Sequence, residues 1–269
     1  MNENIKRLLS GLVYVILLIS ATIFSQNSFL LLFSFFLIVG IIEFCDLINL
    51  KKVIAILVGF AIFSIFSFFK ITSLTSLLLI FATLFVSTKL IYFLFSQKKI
   101  KLDLISKYVY LIGYIVLPII ILTKIPLVQN VYEPKIIISI FILIWTNDTF
   151  AYIVGKSIGK NKLFESISPK KTIEGFVGGI VFSAIAGMLI SKFYLQMPIY
   201  LWIIAAIIIS VFGTIGDLVE SKFKRIAGVK DSGTIMPGHG GVLDRLDSVI
   251  FVAPFLYFFL QIIQYFFIK

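Results

Sequence analysis

Nine stretches of the 269-residue chain are nearly free of charge and rich in Leu, Ile and Phe. They fall at about 8–24, 28–47, 53–69, 74–95, 106–123, 135–154, 174–191, 199–218 and 248–267. Each is close to the roughly 20 apolar residues that cross a bilayer's hydrocarbon core as a helix. Polar breaks separate the first five, at Gln26-Asn27, Leu50-Lys51-Lys52, Lys70 to Ser73 and the basic run Gln97 to Lys101. Lipid offers no partner to an open backbone, so the pattern predicts an all-α polytopic membrane helix bundle of about nine spans. Two polar stretches interrupt it, 155–174 and 213–248. Eight of the 13 acidic residues lie between Asp148 and Asp247. The chain therefore reads as a single membrane domain over 1–269, with 1–134 as apolar scaffold and 135–269 as the half that carries chemistry.

Composition narrows the class. Hydrophobic residues make up 60% and charged residues 14%, with mean hydropathy +1.10, too little polar surface to cover a globule in water. A net charge of +11 would suit nucleic acid, but the basic residues sit at the ends of apolar segments, so no nucleic-acid partner is expected. They suit membrane topology and anionic lipid instead. The N-terminal tail and every second loop carry 18 Lys and Arg against 5 on the alternate side. That asymmetry puts the N-terminus and both polar loops in the cytoplasm and the C-terminus outside, in a protein integral to the cytoplasmic (inner) membrane. Lys6-Arg7 before the first apolar run imitates a secretory signal. The run is longer than such a signal's apolar core and lacks a small-residue cleavage site, so it reads as a first span. Cys45, the only cysteine, excludes an intrachain disulfide and a thiolate metal cluster.

Three groups of residues could carry chemistry. Asp217, Ser221 and Lys224, at i, i+4 and i+7, share one helix face. Glu220 and Lys224 read as an ordinary solvated ion pair. Asp217 instead follows the apolar run Ile203 to Ile209, and a carboxylate near lipid depth points to function. Asp244, Asp247 and Ser248 share a face at the start of the last span. The helix dipole accounts for one acid there, but not for Arg245 and the turn Pro237-Gly238-His239-Gly240-Gly241 beside them. Glycines at 238, 240 and 241 let the backbone approach a ligand and present N–H groups to an anion. Carboxylates facing each other from two helix ends suit phosphate with Mg²⁺, which takes one or two protein carboxylates plus water and phosphate oxygens. Zinc is excluded by the ligand set. His239 has three open roles: base, phosphate donor or turn residue. The third group is Asn147-Asp148, Gly155-Lys156, Gly159-Lys160 and Ser168-Pro169-Lys170-Lys171-Thr172. Its GKSIGK run is not a P-loop, because Phe150 stands where a glycine is required. Taken alone, this basic loop reads as a seat for anionic lipid headgroups.

The run Ser221-x-Phe223-Lys224-Arg225, Lys230-Asp231-x-Gly233, Pro237-Gly238-His239-Gly240-Gly241 and Asp244-Arg245-Leu246-Asp247 closely resembles the hallmark of phosphatidate cytidylyltransferases (CDP-diacylglycerol synthases). The segments around Asp148, Gly155-Lys156 and Lys170-Lys171 look like that family too, so the resemblance covers roughly 140–250. Met236 departs from the usual Leu or Ile. The resemblance implies a Mg²⁺-dependent reaction of CTP with phosphatidic acid in the bilayer, giving CDP-diacylglycerol and pyrophosphate. It implies that Asp217 and Asp244 ligate the metal, with Asp247 and Asp148 as further ligands or supporting groups; the identity of any second cation is open. It makes Lys170, Lys171, Lys224, Arg225, Lys230 and Arg245 the phosphate-holding cations, with Ser221, Gly240 and Gly241 beside them. Asp231 would orient Lys230 or His239. Small residues at Gly175, Gly178, Gly179, Ala184, Ala186 and Gly187 admit close helix packing or a homodimer. Two rival readings are a CTP-dependent enzyme acting on an ether lipid or polyprenol, and a transporter. The second is disfavoured because the polar groups gather in two loops without counterparts in the first half.

Overall fold

The computed structural model of the chain describes residues 3–68, 72–96, 102–129 and 131–267. Among these residues nine long helices follow one another: α1 Glu3–Phe24, α2 Gln26–Ile48, α3 Lys52–Phe68, α4 Ser73–Phe95, α5 Leu104–Lys124, α6 Pro134–Ile158, α7 Ile173–Leu195, α8 Ile199–Ile226 and α9 Leu243–Phe267. Eight are long and apolar enough to cross a membrane, and α3, of 17 residues, is shorter. This is the all-α membrane bundle that the hydropathy pattern predicts.

Local chemistry explains the boundaries. Ser25 caps α2, its hydroxyl accepting from the Ser28 N–H at 3.1 Å, so the polar break at Gln26 starts a helix. In α5 the turn Leu111–Val116 widens to a π-helix just before Pro118, which has no N–H to continue the ordinary ladder. α8 runs on past Asp217 to Ile226, carried by the i, i+4 pairs Asp217–Ser221 and Glu220–Lys224. Strands β1 Leu127–Val128 and β2 Val131–Tyr132 form one short antiparallel hairpin. The basic loop after α6 forms another, from β3 Lys162–Phe164 and β4 Ser168–Thr172. The hairpin turns Lys171 inward, and Thr172 caps α7 by accepting from the Gly175 N–H at 3.1 Å.

Phe223 is the hub of the packing near the site. Its ring centroid lies 5.2 Å from Phe44 on α2, 5.0 Å from Phe93 on α4 and 6.1 Å from Tyr114 on α5. Four helices thus meet around one aromatic side chain, in contacts of the kind worth about 0.5–1.5 kcal/mol per ring pair beyond burial. Glycines let α6, α7 and α8 approach closely. A Cβ at Gly175 would run into the Ala151 carbonyl, and one at Gly187 into the Trp202 carbonyl. The small residues of α7 are therefore used for packing within the chain.

The breaks after α2 and α4, the start of α1 and the two polar loops meet at one end of the bundle. Lys107 at the start of α5 donates to the Asn49 carbonyl at 2.8 Å, and Lys222 on α8 donates to the Ser96 carbonyl after α4 at 2.6 Å. Arg225 reaches the Ile167 carbonyl of the β3–β4 hairpin at 3.4 Å. Ser10 near the start of α1 donates to the Pro237 carbonyl at 2.9 Å.

Candidate active site

At that end a cavity of about 670 Å³ opens between α6, α7, α8, α9 and the β3–β4 hairpin. Asp148, Asp217, Asp244 and Asp247 all line it, as do Lys156, Lys162, Lys170, Lys171 and Arg245. Residues from both halves of the predicted site, separated by some 70 positions, therefore face one space. Asp148, Asp217 and Asp247 lie within electrostatic range of one another.

The carboxylates are not equivalent. Asp217 Oδ2 pairs with Lys171 Nζ at 2.6 Å, and its Oδ1 accepts from Ser221 Oγ at 3.2 Å. Asp247 Oδ1 accepts from the Ser248 N–H at 2.6 Å, and no donor among the described residues meets its other oxygen. Asp148 Oδ1 accepts from Asn147 Nδ2 at 3.2 Å. These three keep acceptor capacity toward the cavity.

Asp244 is enclosed. Its Oδ1 pairs with Lys224 Nζ at 2.6 Å, while Oδ2 accepts from the Ser232 N–H and hydroxyl, both at 2.9 Å, and from the Gly241 N–H at 2.7 Å. Among the described residues no three His, Cys, Asp or Glu side chains gather as a metal-holding group. The expected set Asp217, Asp244 and Asp247 is therefore not assembled as a metal cluster. The physical reason is that Asp244 already has a donor at each oxygen.

Three further expectations need the same correction. Lys224 does not reach out to phosphate: it lies buried between Glu220 and Asp244. Glu220 is not in a solvated pair, since its side chain is 1% exposed and its Oε1 has no partner. The glycine turn does not offer the Gly241 N–H to an outside anion, because Asp244 takes it. Gly240, with φ +87°, holds the left-handed conformation that lets this turn close on the carboxylate; a Cβ there would strike Asp244.

The first half of the chain contributes more than scaffold. Glu43, in the apolar run of α2 that also carries Asp46, is buried beneath the 232–243 loop. It accepts from the Val242 N–H at 3.0 Å, the Leu243 N–H at 2.7 Å and the Ser232 hydroxyl at 3.2 Å. It thereby satisfies the orphan donors at the N-terminus of α9 and complements that helix's dipole. The signal for it was a carboxylate inside an otherwise apolar run, near Asp46 at the run's end.

His239 is docked rather than free. Its Nδ1 lies 2.7 Å from Ser10 Oγ, and its carbonyl accepts from Arg245 at 3.1 Å. Desolvation, helped by the Arg245 and Arg7 guanidiniums, lowers its pKa below the ordinary imidazole value. Lys230 and Asp231 line a smaller polar cavity beside His239, and Asp231 makes no hydrogen bond or ion pair to Lys230 or His239 among the described residues. The expectation that Asp231 orients either of them is not met. Arg225 is exposed and bonds only backbone carbonyls, of Ile167 and Val229.

The sequence profile of the cytidylyltransferase family matches residues 5–263. The chain belongs to the cytidylyltransferase family. It is 53% identical over 123 residues to a phosphatidate cytidylyltransferase of Staphylococcus epidermidis, covering 45% of this chain and 47% of that protein. It is 54% identical over 123 residues to the protein of the same name from Bacillus subtilis, covering 45% of each. The match thus spans about half the length of these curated relatives. In this family member the polar cavity and the adjoining 227–242 loop hold much of the chain's charge.

Proposed function

We propose that the chain transfers the cytidylyl group of CTP to phosphatidic acid in the bilayer, forming CDP-diacylglycerol and releasing pyrophosphate. The observation that carries this reading is the one cavity lined by Asp148, Asp217 and Asp247 together with Lys170, Lys171 and Arg245. The names of the similar proteins support the same acceptor. A phosphate oxygen of phosphatidate attacks the α-phosphorus of CTP. The bond from that phosphorus to the oxygen bridging to the β-phosphate breaks, and pyrophosphate leaves with that oxygen. The nucleophile is already ionised, so the protein's task is to bring two polyanions together and to neutralise charge during in-line displacement.

Lys170, Lys171 and Arg245 supply cations for the triphosphate and the lipid phosphate. Mg²⁺ fits the donors present: Asp217 and Asp247 offer two carboxylates with Asp148 nearby, and Mg²⁺ needs no more than one or two when phosphate oxygens and water complete its shell. When bound, the ion would neutralise phosphate charge. Because Lys171 pairs with Asp217, an arriving phosphate can draw that lysine to itself and release the carboxylate. The basic segments meeting at this end of the bundle support a cytoplasmic face for the site, with the N-terminus on the same side and the C-terminus across the inner membrane.

The decisive experiment supplies CTP with phosphatidate, its ether analogue, a polyprenyl phosphate or a polyprenol, and follows pyrophosphate with and without EDTA. Release should be fastest with phosphatidate and should stop on chelation. Preference for a polyprenyl acceptor would refute the acceptor, and no CTP consumption with any of them would refute the reading itself.

A further inference from the structure

Beside the reaction cavity lie two further spaces that the proposed chemistry leaves without a role. One, of about 500 Å³, is bordered by Arg7, Lys230, His239 and Arg245, with Asp231 as its only carboxylate. Three fixed cations against one acid make it an anion-attracting pocket. The other, of about 750 Å³, is a groove between α1 and α2 closed at one end by the loop. Val13, Leu17, Phe35 and Phe36 form its walls, Ile235 and Met236 its end, and Lys6 stands beside it.

The three spaces adjoin one another in series. Met236 borders both the groove and the basic pocket, and Arg245 borders both the basic pocket and the reaction cavity. An apolar groove on a membrane helix accepts any lipid tail. What distinguishes this one is the cation cluster of the adjoining pocket, on the other side of Met236 from the groove. A phosphate monoester suits three cations; a choline phosphodiester carries its own cation and does not.

We infer that the groove between α1 and α2 and the Arg7–Lys230–Arg245 pocket together seat the lipid acceptor, an acyl chain lying along Val13, Leu17 and Phe36 and the phosphate monoester resting beside Arg245 at the edge of the reaction cavity. This rests on the reading of the chain as a lipid cytidylyltransferase. It gives α1 a task that accounts for its fit to the loop: Ser10 donates to the Pro237 carbonyl at 2.9 Å, and Gly11 leaves room for His239, whose ring a Cβ there would press at 3.1 Å. Arg7 is held at the pocket's rim by the same docking. The first helix is thus part of the acceptor site, and the acceptor meets CTP from the side of the bundle facing α1.

The test uses the full-length protein in vesicles containing one of two lipids with the same photoreactive tail, phosphatidate or phosphatidylcholine. Crosslinked peptides are mapped by mass spectrometry. Phosphatidate should label residues 13–36 about tenfold more than phosphatidylcholine, and Arg7→Gln should erase the preference, as expected when one charge-assisted phosphate contact is lost. In parallel, Val13→Trp should raise the KM for phosphatidate by about tenfold and leave the KM for CTP unchanged, as expected when bulk occupies an apolar binding groove. Equal labelling by the two lipids, or labelling confined to other helices, overturns the inference even if the substituted proteins fold poorly, because it is read on the unmodified chain. Wild-type protein that makes CDP-diacylglycerol while failing the labelling test refutes this site and leaves the proposed reaction standing. Absence of any turnover refutes the reaction.

Discussion

Helix α8 carries two lysine–carboxylate systems that look alike in the sequence and behave differently in the fold. Asp217 pairs with Lys171 on the cavity wall, with the two side chains 35% and 27% exposed. Seven residues on, Lys224 sits between Glu220 and Asp244, with side chains 10%, 1% and 6% exposed. Burial decides what each can do. An open pair gains little from its Coulomb energy and exchanges partners readily. A closed pair has given up hydration on every member, so removing one leaves an uncompensated charge behind. The open system can hand its groups to a substrate; the closed one fixes α8 to the start of α9. Nearly equal chemistry is thereby divided into a working part and a fastening.

The same substitution in both lysines separates them most sharply. Lys224→Gln removes the one cation that, among the described residues, pairs with Glu220 and Asp244, and should cost about 3–5 kcal/mol of stability, the range for breaking a buried ion pair. Thermal unfolding in detergent is the measurement, and a variant as stable as the parent would end the fastening role. Lys171→Gln should leave the melting temperature within the scatter of ordinary surface changes, while turnover falls. Asp217→Asn belongs with it: turnover should drop about 10²–10³-fold, the scale for losing one preorganised electrostatic group, with the protein still inserted and folded. If Lys171→Gln destabilises as much as Lys224→Gln, the distinction between the two systems fails.

The helices were legible because lipid imposes one rule on the backbone and a length on every span. Among the described residues nine apolar runs became nine helices, and the breaks at Gln26 and Lys51-Lys52 fall where helices begin, while Lys70 and the run Gln97 to Lys101 lie outside the described residues. Asp148 and Asp217 were legible as functional from charge set in apolar surroundings, whereas joining them with Asp244, Asp247, Lys170, Lys171 and Arg245 in one site rested on the family resemblance. What was hidden is partner choice. Spacing puts Lys224 on the face of Asp217, yet a lysine's flexible stem lets it reach Glu220 and Asp244 instead. The turn at 237–241 was readable as an anion-holding backbone, but the anions its neighbourhood holds are Glu43 and Asp244, some 200 residues apart in sequence. Glu43 and Ser10 show the general difficulty. Ser10 lies in a stretch whose pattern speaks only of lipid, Glu43 in one where a carboxylate hints at function without naming its partner, and each acquires its role from a loop far along the chain.

The smallest expected effect concerns the docking of that loop on α1. His239 faces Arg7 and Arg245, with Asp231 in the same pocket, and its Nδ1 lies against Ser10 Oγ. Desolvation first, then the two guanidiniums, disfavours the imidazolium in the folded protein. The unfolded loop therefore binds more protons than the folded loop wherever the two differ. The docking contributes stability that is complete above the ordinary imidazole value of about 6.5 and is lost as pH falls from there toward the lowered folded value. Hydrogen exchange across residues 232–242, corrected for the intrinsic pH dependence of exchange, should show weaker protection at mildly acid than at neutral pH. His239→Gln should flatten that dependence, and the closed Lys224 system should be unaffected over the same interval. Stronger protection on acidification would mean that the imidazolium is favoured in the fold, and that His239 faces an acid rather than two guanidiniums.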